Sequence, residues 1–172
     1  AVLANWGGYY GQRVYLMEAR RLGLQVHPPH VNYARQEFSL NYIDGQPALF
    51  MGLNQVRDLT RRTQARILQH RPYQSFSDFL AKVDPRPVEA ENLLQCGAFE
   101  GMGTIPALMD HLKSGGWRGG QLSLFSFGQD QTDWSLEEKA IAQEHILGVD
   151  IVVHPLELYS QQIAASGSLS TV

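Results

Sequence analysis

The sequence predicts a mainly α-helical fold with one small β-hairpin. It contains a helix-hairpin-helix and continues through a flexible linker into a C-terminal helical segment. Three observations predict this. Apolar residues recur at helical spacing between recognisable caps and stops. One Asp-Gly pair, Asp44-Gly45, separates two short apolar runs, the strongest local signal for a hairpin. A glycine-rich stretch over 114–133 divides the chain, as linker composition does.

The 172 residues are 44% apolar and 18% charged, which allows a real core in one domain or two small ones. No apolar run approaches the roughly 18 residues of a membrane span, and no basic-then-apolar leader opens the chain. The single cysteine, Cys96, excludes an internal disulfide and a cysteine-rich zinc site. A soluble, cytoplasmic protein without a membrane partner is expected. The opening Ala-Val-Leu-Ala suggests a piece of something longer.

The elements follow in order. Gln12–Leu22 is a helix stopped by Gly23. His27-Pro28-Pro29-His30 cannot be helical, because each proline holds its predecessor extended. Phe38–Ile43 and Gln46–Met51 form the hairpin about Asp44-Gly45. Thr60–Arg71 is a helix ending before Pro72, and Ser75–Val83 a two-turn helix with Ser75 and Asp78 in a capping arrangement. After the rigid break Asp84-Pro85-Arg86-Pro87 comes a helix over Val88–Cys96, with Gly97 as its left-handed terminator. Thr104 caps a helix to Lys113, and Ser135 with Glu138 forms a capping box opening a helix to Leu147. A β-branched run, Val149–Val153, and a last helix over Pro155–Ala164 complete the chain.

The charge is unevenly spread. The net is −3 overall, but residues 1–118 carry a net of +3 and residues 119–172 a net of −6. Such a split suggests segments with different tasks.

Candidate chemistry concentrates in three places. Gly101-Met102-Gly103-Thr104, between two helices, has the Gly-apolar-Gly pattern of a helix-hairpin-helix. Its glycines allow close approach of a phosphate, and its amides and helix start favour an anion. An ordinary tight turn between packed helices reads the same way. The second place is 51–71, where Asp58 and Thr60 hold the positions of the hairpin glycines. Arg57, Arg61, Arg62, Arg66 and Arg71 stand there with one acid. They form either a phosphate-contacting stripe or a solvated face. The third is Gln121-Leu122-Ser123-Leu124-Phe125, suited to a peptide that docks apolar side chains in a partner's pocket while the glutamine fixes register. A short buried strand is the other reading.

The rest is weak. His27 and His30 lack a third ligand, so a structural or solvated role is expected. The acid pairs Glu89/Glu91, Glu137/Glu138 and Asp130/Asp133 have no apolar context to tune them, so solvation is expected. No phosphate-binding loop, nucleophile elbow or dinucleotide fingerprint occurs.

Taken in order, these segments resemble one family, the bacterial C-family DNA polymerases that include the DNA polymerase III alpha subunit. Tyr9-Tyr10, Tyr15 and Glu18–Gly23, followed by Pro28–Asn32, resemble its fingers. Phe76–Phe79 and Leu94–Glu100 resemble the stretch that ends in its helix-hairpin-helix, and Gln121–Phe125 its sliding-clamp peptide. Leu147-Gly148 and His154–Leu156 resemble the approach to its oligonucleotide-binding domain.

The resemblance implies a distal fingers segment over 1–56 and a DNA-binding hairpin region over 57–113. It implies a linker with the clamp peptide over 114–133 and a helical segment over 134–172. It implies DNA contacts at Gly101, Met102, Gly103, Thr104, Arg57, Arg61, Arg62 and Arg66, and clamp contacts at Gln121, Leu122, Ser123, Leu124 and Phe125. The partners implied are double-stranded or primer-template DNA, the sliding clamp and other replisome subunits. The parent would be a DNA-directed DNA polymerase using Mg2+, with its catalytic carboxylates upstream. This segment would hold no catalytic residue, metal or cofactor. Two features depart from the family: Asp58 and Thr60 at the first hairpin, and Val149–Val153 before His154. An independent helix-hairpin-helix repair protein and a non-enzymatic clamp-binding adaptor are the alternatives.

Overall fold

The computed structural model describes residues 12–43, 45–115, 132–149 and 151. The expected helix over 155–164 and the peptide at 121–125 lie outside the described residues.

Helix α1, Gln12–Arg21, buries Leu16 and Ala19 and stops at Gly23, which adopts the left-handed φ of 84°. Strand β1, Gln25–His27, follows and was not evident in the sequence. It is three residues long, and pairing, not pattern, defines it: Val26 lies parallel to Leu49. Strands β2, Ser39–Ile43, and β3, Gln46–Phe50, form the expected antiparallel hairpin. The sheet order is β1-β3-β2. Pro47 sits in the central strand, where it has no N–H to donate. It is tolerated because β1 begins pairing only at Ala48.

A 3-10 turn at Leu53–Gln55 leads into α2, Arg61–His70, then α3, Phe76–Val83, and α4, Pro87–Gln95. Helix α5 is Ile105–Ser114 and α6 is Leu136–Leu147. The caps fall where the sequence puts them. Thr60, Ser75, Thr104 and Ser135 each accept a hydrogen bond from the amide three residues on. The Ser135 box is reciprocal, with Glu138 accepting from the Ser135 N–H. Asp78 instead reaches back to the Gln74 N–H.

One apolar cluster joins these elements, from Leu16 through Met51, Ile67, Phe79 and Leu93 to Ile146 and Ile151. Phe99 meets Phe76 and Phe79 edge-on, each at 4.8 Å between ring centres. That geometry adds about 0.5–1.5 kcal/mol per pair beyond the area buried. Asn32 fastens the Pro-Pro loop to the start of α3. Its Nδ2 donates to the Tyr73 carbonyl at 2.9 Å, and its Oδ1 accepts from the Tyr73 N–H at 2.8 Å. Arg71 donates to the carbonyls of Asn32 and Ala34.

Helix α6 belongs to this same core. It packs on α4, and buried Gln143 donates to the Cys96 carbonyl and accepts from the Ile151 N–H.

Candidate nucleic-acid interface

Two hairpins present themselves, each opening a helix. The second is the more regular. Helix α4 ends in the paired bonds of a Schellman motif: the Ala98 N–H donates to the Leu93 carbonyl and the Gly97 N–H to the Leu94 carbonyl. Gly97 supplies the left-handed φ of 90° that this ending requires. Phe99, buried among the aromatic rings, then anchors the turn from within. His30 holds it from the other side. Its Nδ1 accepts from the Asn32 N–H, so its Nε2 carries the proton and donates to the Glu100 carbonyl at 3.1 Å. Burial lowers the His30 pKa, and the bond to Glu100 opposes that only in part.

Beyond Glu100 the chain turns outward. Gly101 and Gly103 have φ of 81° and 151° and are exposed. The Met102 N–H closes the turn on the Phe99 carbonyl. Among the described residues the N–H groups of Gly101, Gly103 and Thr104 meet no acceptor. Backbone donors on such a turn, without an acceptor among the described residues, are of the kind that can hold an anion. A cavity of ≈ 400 Å³ lies beside them, lined by Phe99, Gly101, Gly103, Asp133 and Lys139 among others.

The first hairpin keeps the shape without the glycine. Asp58 adopts φ 58°, which aspartate tolerates better than most side chains. The turn is pinned by its own carbonyls. The Asn92 side chain donates to the Arg57 carbonyl, Arg86 to that of Asp58, and Gln64 to that of Leu59. The Arg57 N–H donates to the Ile146 carbonyl of α6.

The Thr60 N–H at the head of α2 is already taken. It donates to Glu89 Oε1 at 2.9 Å, and the Thr60 hydroxyl donates to the same oxygen at 2.7 Å. Glu89 Oε2 accepts from the Thr63 hydroxyl and from the Arg86 N–H. Glu89 is therefore not the solvated acid expected from sequence: it is 1% exposed. Burial pushes its carboxyl up, but the donors of Thr60 and Arg86 outweigh this and bring the pKa down to about 2. Glu89 closes a capping box at the head of α4 by accepting from the Arg86 N–H, and the Thr60 and Thr63 hydroxyls that it also reaches lie 26–29 positions away in the sequence.

The arginines divide by task. Arg61 and Arg62, in the first turn of α2, are exposed and meet no acceptor among the described residues. Arg57 is also exposed, with its Nη1 3.2 Å from His145 Nε2. Arg66 donates to the Lys82 carbonyl at the end of α3, so its guanidinium is engaged within the fold. Arg71 is a tie between loops. Arg61 and Arg62 stand at the positive end of a helix dipole, a placement that an anionic partner would relieve.

Asp133 also departs from expectation. Its composition placed it in the flexible linker, yet its Oδ1 accepts from the Ile105 N–H at 2.9 Å and its Oδ2 pairs with Lys139 at 2.6 Å. Burial raises its pKa, and the bonds from Lys139, Ile105 and Trp134 lower it by more, so the group is held below the ordinary carboxylate range. Neither contact is legible in a sequence where 28 residues separate Asp133 from Ile105. The residues expected to form a clamp peptide, Gln121, Leu122, Ser123, Leu124 and Phe125, lie outside the described residues.

Two capped hairpins on a single aromatic core define a helix-hairpin-helix module. Residues 23–106 match the family described as helix-hairpin-helix motif. The DNA polymerase III subunit alpha of Campylobacter jejuni is 27% identical, over 88% of this chain and 15% of its own length. The error-prone DNA polymerase of Pseudomonas paraeruginosa is 30% identical, over 96% of this chain and 17% of its own. The DNA polymerase III subunit alpha of Mycobacterium tuberculosis is 26% identical over 88% and 15%. The chain is homologous, along most of its length, to one segment of the DNA polymerase III alpha subunits and error-prone DNA polymerases. It spans 15–17% of the length of these relatives.

Proposed function

We propose that this segment grips the phosphate backbone of duplex or primer-template DNA for a DNA-directed DNA polymerase, and that it also tethers that enzyme to a sliding clamp. One observation carries the first part: the amides of exposed Gly101 and Gly103 and of half-buried Thr104, which meet no acceptor among the described residues. Backbone donors read phosphates and not bases, which suits an enzyme that must move along any sequence. Arg61 and Arg62 add charge to the same task from the first hairpin, where Thr60 is closed by Glu89. The tether rests on Gln121–Phe125, a glutamine followed by spaced apolar side chains, which fits a pocket-docking peptide. Catalysis by the whole enzyme is inferred from the names of the homologues, and the carboxylates for it are assigned to the parent protein.

Fluorescence anisotropy with a labelled duplex tests the grip. Affinity falls as salt rises, and Arg61→Ala and Arg62→Ala each reduce the log–log salt slope by about 1. No binding at low ionic strength would refute it. For the tether, Phe125→Ala abolishes most binding to the clamp, and an unchanged affinity refutes the assignment.

A further inference from the structure

We propose that Tyr33 is a stacking site for an unpaired nucleobase and that Arg35 takes a phosphate beside it, so that this face holds the single-stranded part of a primer-template. The inference deepens the reading of the segment as a DNA grip and rests on it. Four rings pack together here. His27 stacks on Phe50 with 5.0 Å between ring centres and 21° between planes. Tyr33 lies 4.6 Å from His30 and 6.0 Å from Phe50. Phe50 and His30 are buried and His27 is half-buried, but Tyr33 is 55% exposed. A lone exposed ring is ordinary. This one is the outer member of an aromatic group whose inner members are covered. Its loop is also fixed: the Tyr33 and Ala34 N–H groups donate to the His30 carbonyl, and the Val31 N–H donates to the Ala98 carbonyl. A ring already held in place loses little freedom when a base covers it.

The charge beside the ring selects the occupant. Arg71 reaches under this loop to the Asn32 and Ala34 carbonyls, and exposed Arg35 follows directly. Among the described residues neither guanidinium is paired with a carboxylate, and exposed Glu37 bonds to neither. Burial lowers the Arg71 pKa; Tyr73 works against this, and the neighbouring charge of Arg35 adds to it. Two guanidinium groups this close, with no acid between them, suit a phosphate. An exposed ring flanked by uncompensated arginine is the combination that holds single strands, because the ring stacks on any base and the charge follows the backbone. The place is continuous with the second hairpin. His30 donates to the Glu100 carbonyl, and His27 shares a cavity with Gly101 and Gly103.

Fluorescence anisotropy with the 172-residue chain tests this, using a blunt duplex and the same duplex with an oligothymidine overhang. The parent chain is expected to bind the overhang probe about tenfold more tightly, within what stacking one base on a ring supplies. Tyr33→Ala and Tyr33→Leu remove most of that preference and change blunt-duplex affinity by no more than about twofold. Tyr33→Phe keeps the preference, because the ring and not the hydroxyl stacks. Leucine still covers His30 and Phe50 but has no π face, so a merely structural role for Tyr33 would survive that change. Arg35→Ala lowers the log–log salt slope on the overhang probe by about 0.7, the value for one single-strand phosphate contact. Equal affinity of the parent chain for the two probes overturns the proposal, and so does an equal loss on both in Tyr33→Ala. A dimer in light scattering that Tyr33→Ala dissolves, with overhang affinity unchanged, assigns the face to a second copy and overturns it as well. Binding to single-stranded oligothymidine without binding to the blunt duplex refutes the duplex grip and leaves the stacking site standing; the reverse refutes the stacking site alone.

Discussion

Glu89→Gln tests the hairpin architecture most directly. The carboxylate joins the heads of two helices. It accepts from Thr60 N–H, Thr60 Oγ1 and Thr63 Oγ1 at α2, and from Arg86 N–H at α4. Each of its oxygens therefore faces at least two donors. A glutamine turns one oxygen into a donor, and whichever way the amide is flipped it points N–H at N–H or O–H. The shift from 4.5 to about 2 corresponds to about 3 kcal/mol favouring the ionised form in the folded protein. The folded pKa is lowered, so this stability is complete above the unfolded pKa of 4.5 and disappears as pH falls through about 2. Urea unfolding followed by circular dichroism at pH 7 is expected to place the variant about 3 kcal/mol below the parent, with the gap less than half as large by pH 3. The other carboxylates titrate in both proteins and cancel in the difference. A gap under about 1 kcal/mol at pH 7, or one that does not shrink with acid, refutes the view of Glu89 as a charged clamp.

Two glycines separate space from conformation. A Cβ at Gly52 would lie 2.5 Å from the Gln36 carbonyl oxygen and 2.6 Å from Glu37 C, so Gly52→Ala is expected to cost about 3 kcal/mol or more in the same unfolding assay. A Cβ at Gly101 meets nothing within 4 Å, but φ is +81°, so Gly101→Ala costs about 1–2 kcal/mol from the left-handed backbone alone. Ser135→Ala removes the cap of α6 and lowers stability by about 1 kcal/mol, read as a shifted urea midpoint at constant slope. Phe99→Ala opens the ring cluster with Phe76 and Phe79 and costs about 3–5 kcal/mol, visible as a fall in melting temperature.

The helices were legible because their signals are local. Thr60, Ser75, Thr104 and Ser135 cap within their own turns, and Gly23, Gly97 and Gly148 take left-handed φ at the ends. The β2–β3 hairpin was legible through Asp44-Gly45. Strand β1 was not, because its three residues become a strand only by pairing with β3 across more than twenty residues. The second hairpin was readable as a glycine pattern. What holds it was hidden: His30 reaches Glu100 across 70 positions and Asp133 reaches Ile105 across 28. Polar side chains carry no periodicity, so Glu89 and Asp133 looked like surface acids until the chain brought donors to them. The arginine cluster shows the same limit in reverse. Arg61, Arg62, Arg66 and Arg71 share one helix and its C-terminal cap, yet among the described residues Arg66 and Arg71 are tied into the fold while Arg61 and Arg62 meet no acceptor.

Helix α6 explains why both hairpins are held in one frame. Its apolar side chains Ile146 and Leu147 enter the common core, but apolar contact is non-directional and would allow the helix to rotate or slide. Three polar contacts remove that freedom. The Ile146 carbonyl receives the Arg57 N–H at the first hairpin, Gln143 bridges the Cys96 carbonyl and the Ile151 N–H beside the second, and Lys139 holds Asp133 over Ile105. Gln143 is almost wholly buried with both ends of its amide satisfied, so any rotation would leave polar groups unpaired in the interior at about 1–3 kcal/mol each. The position of Asp133 on α5 is thus set by the seating of α6, and a change at either hairpin reaches the other through one rigid helix.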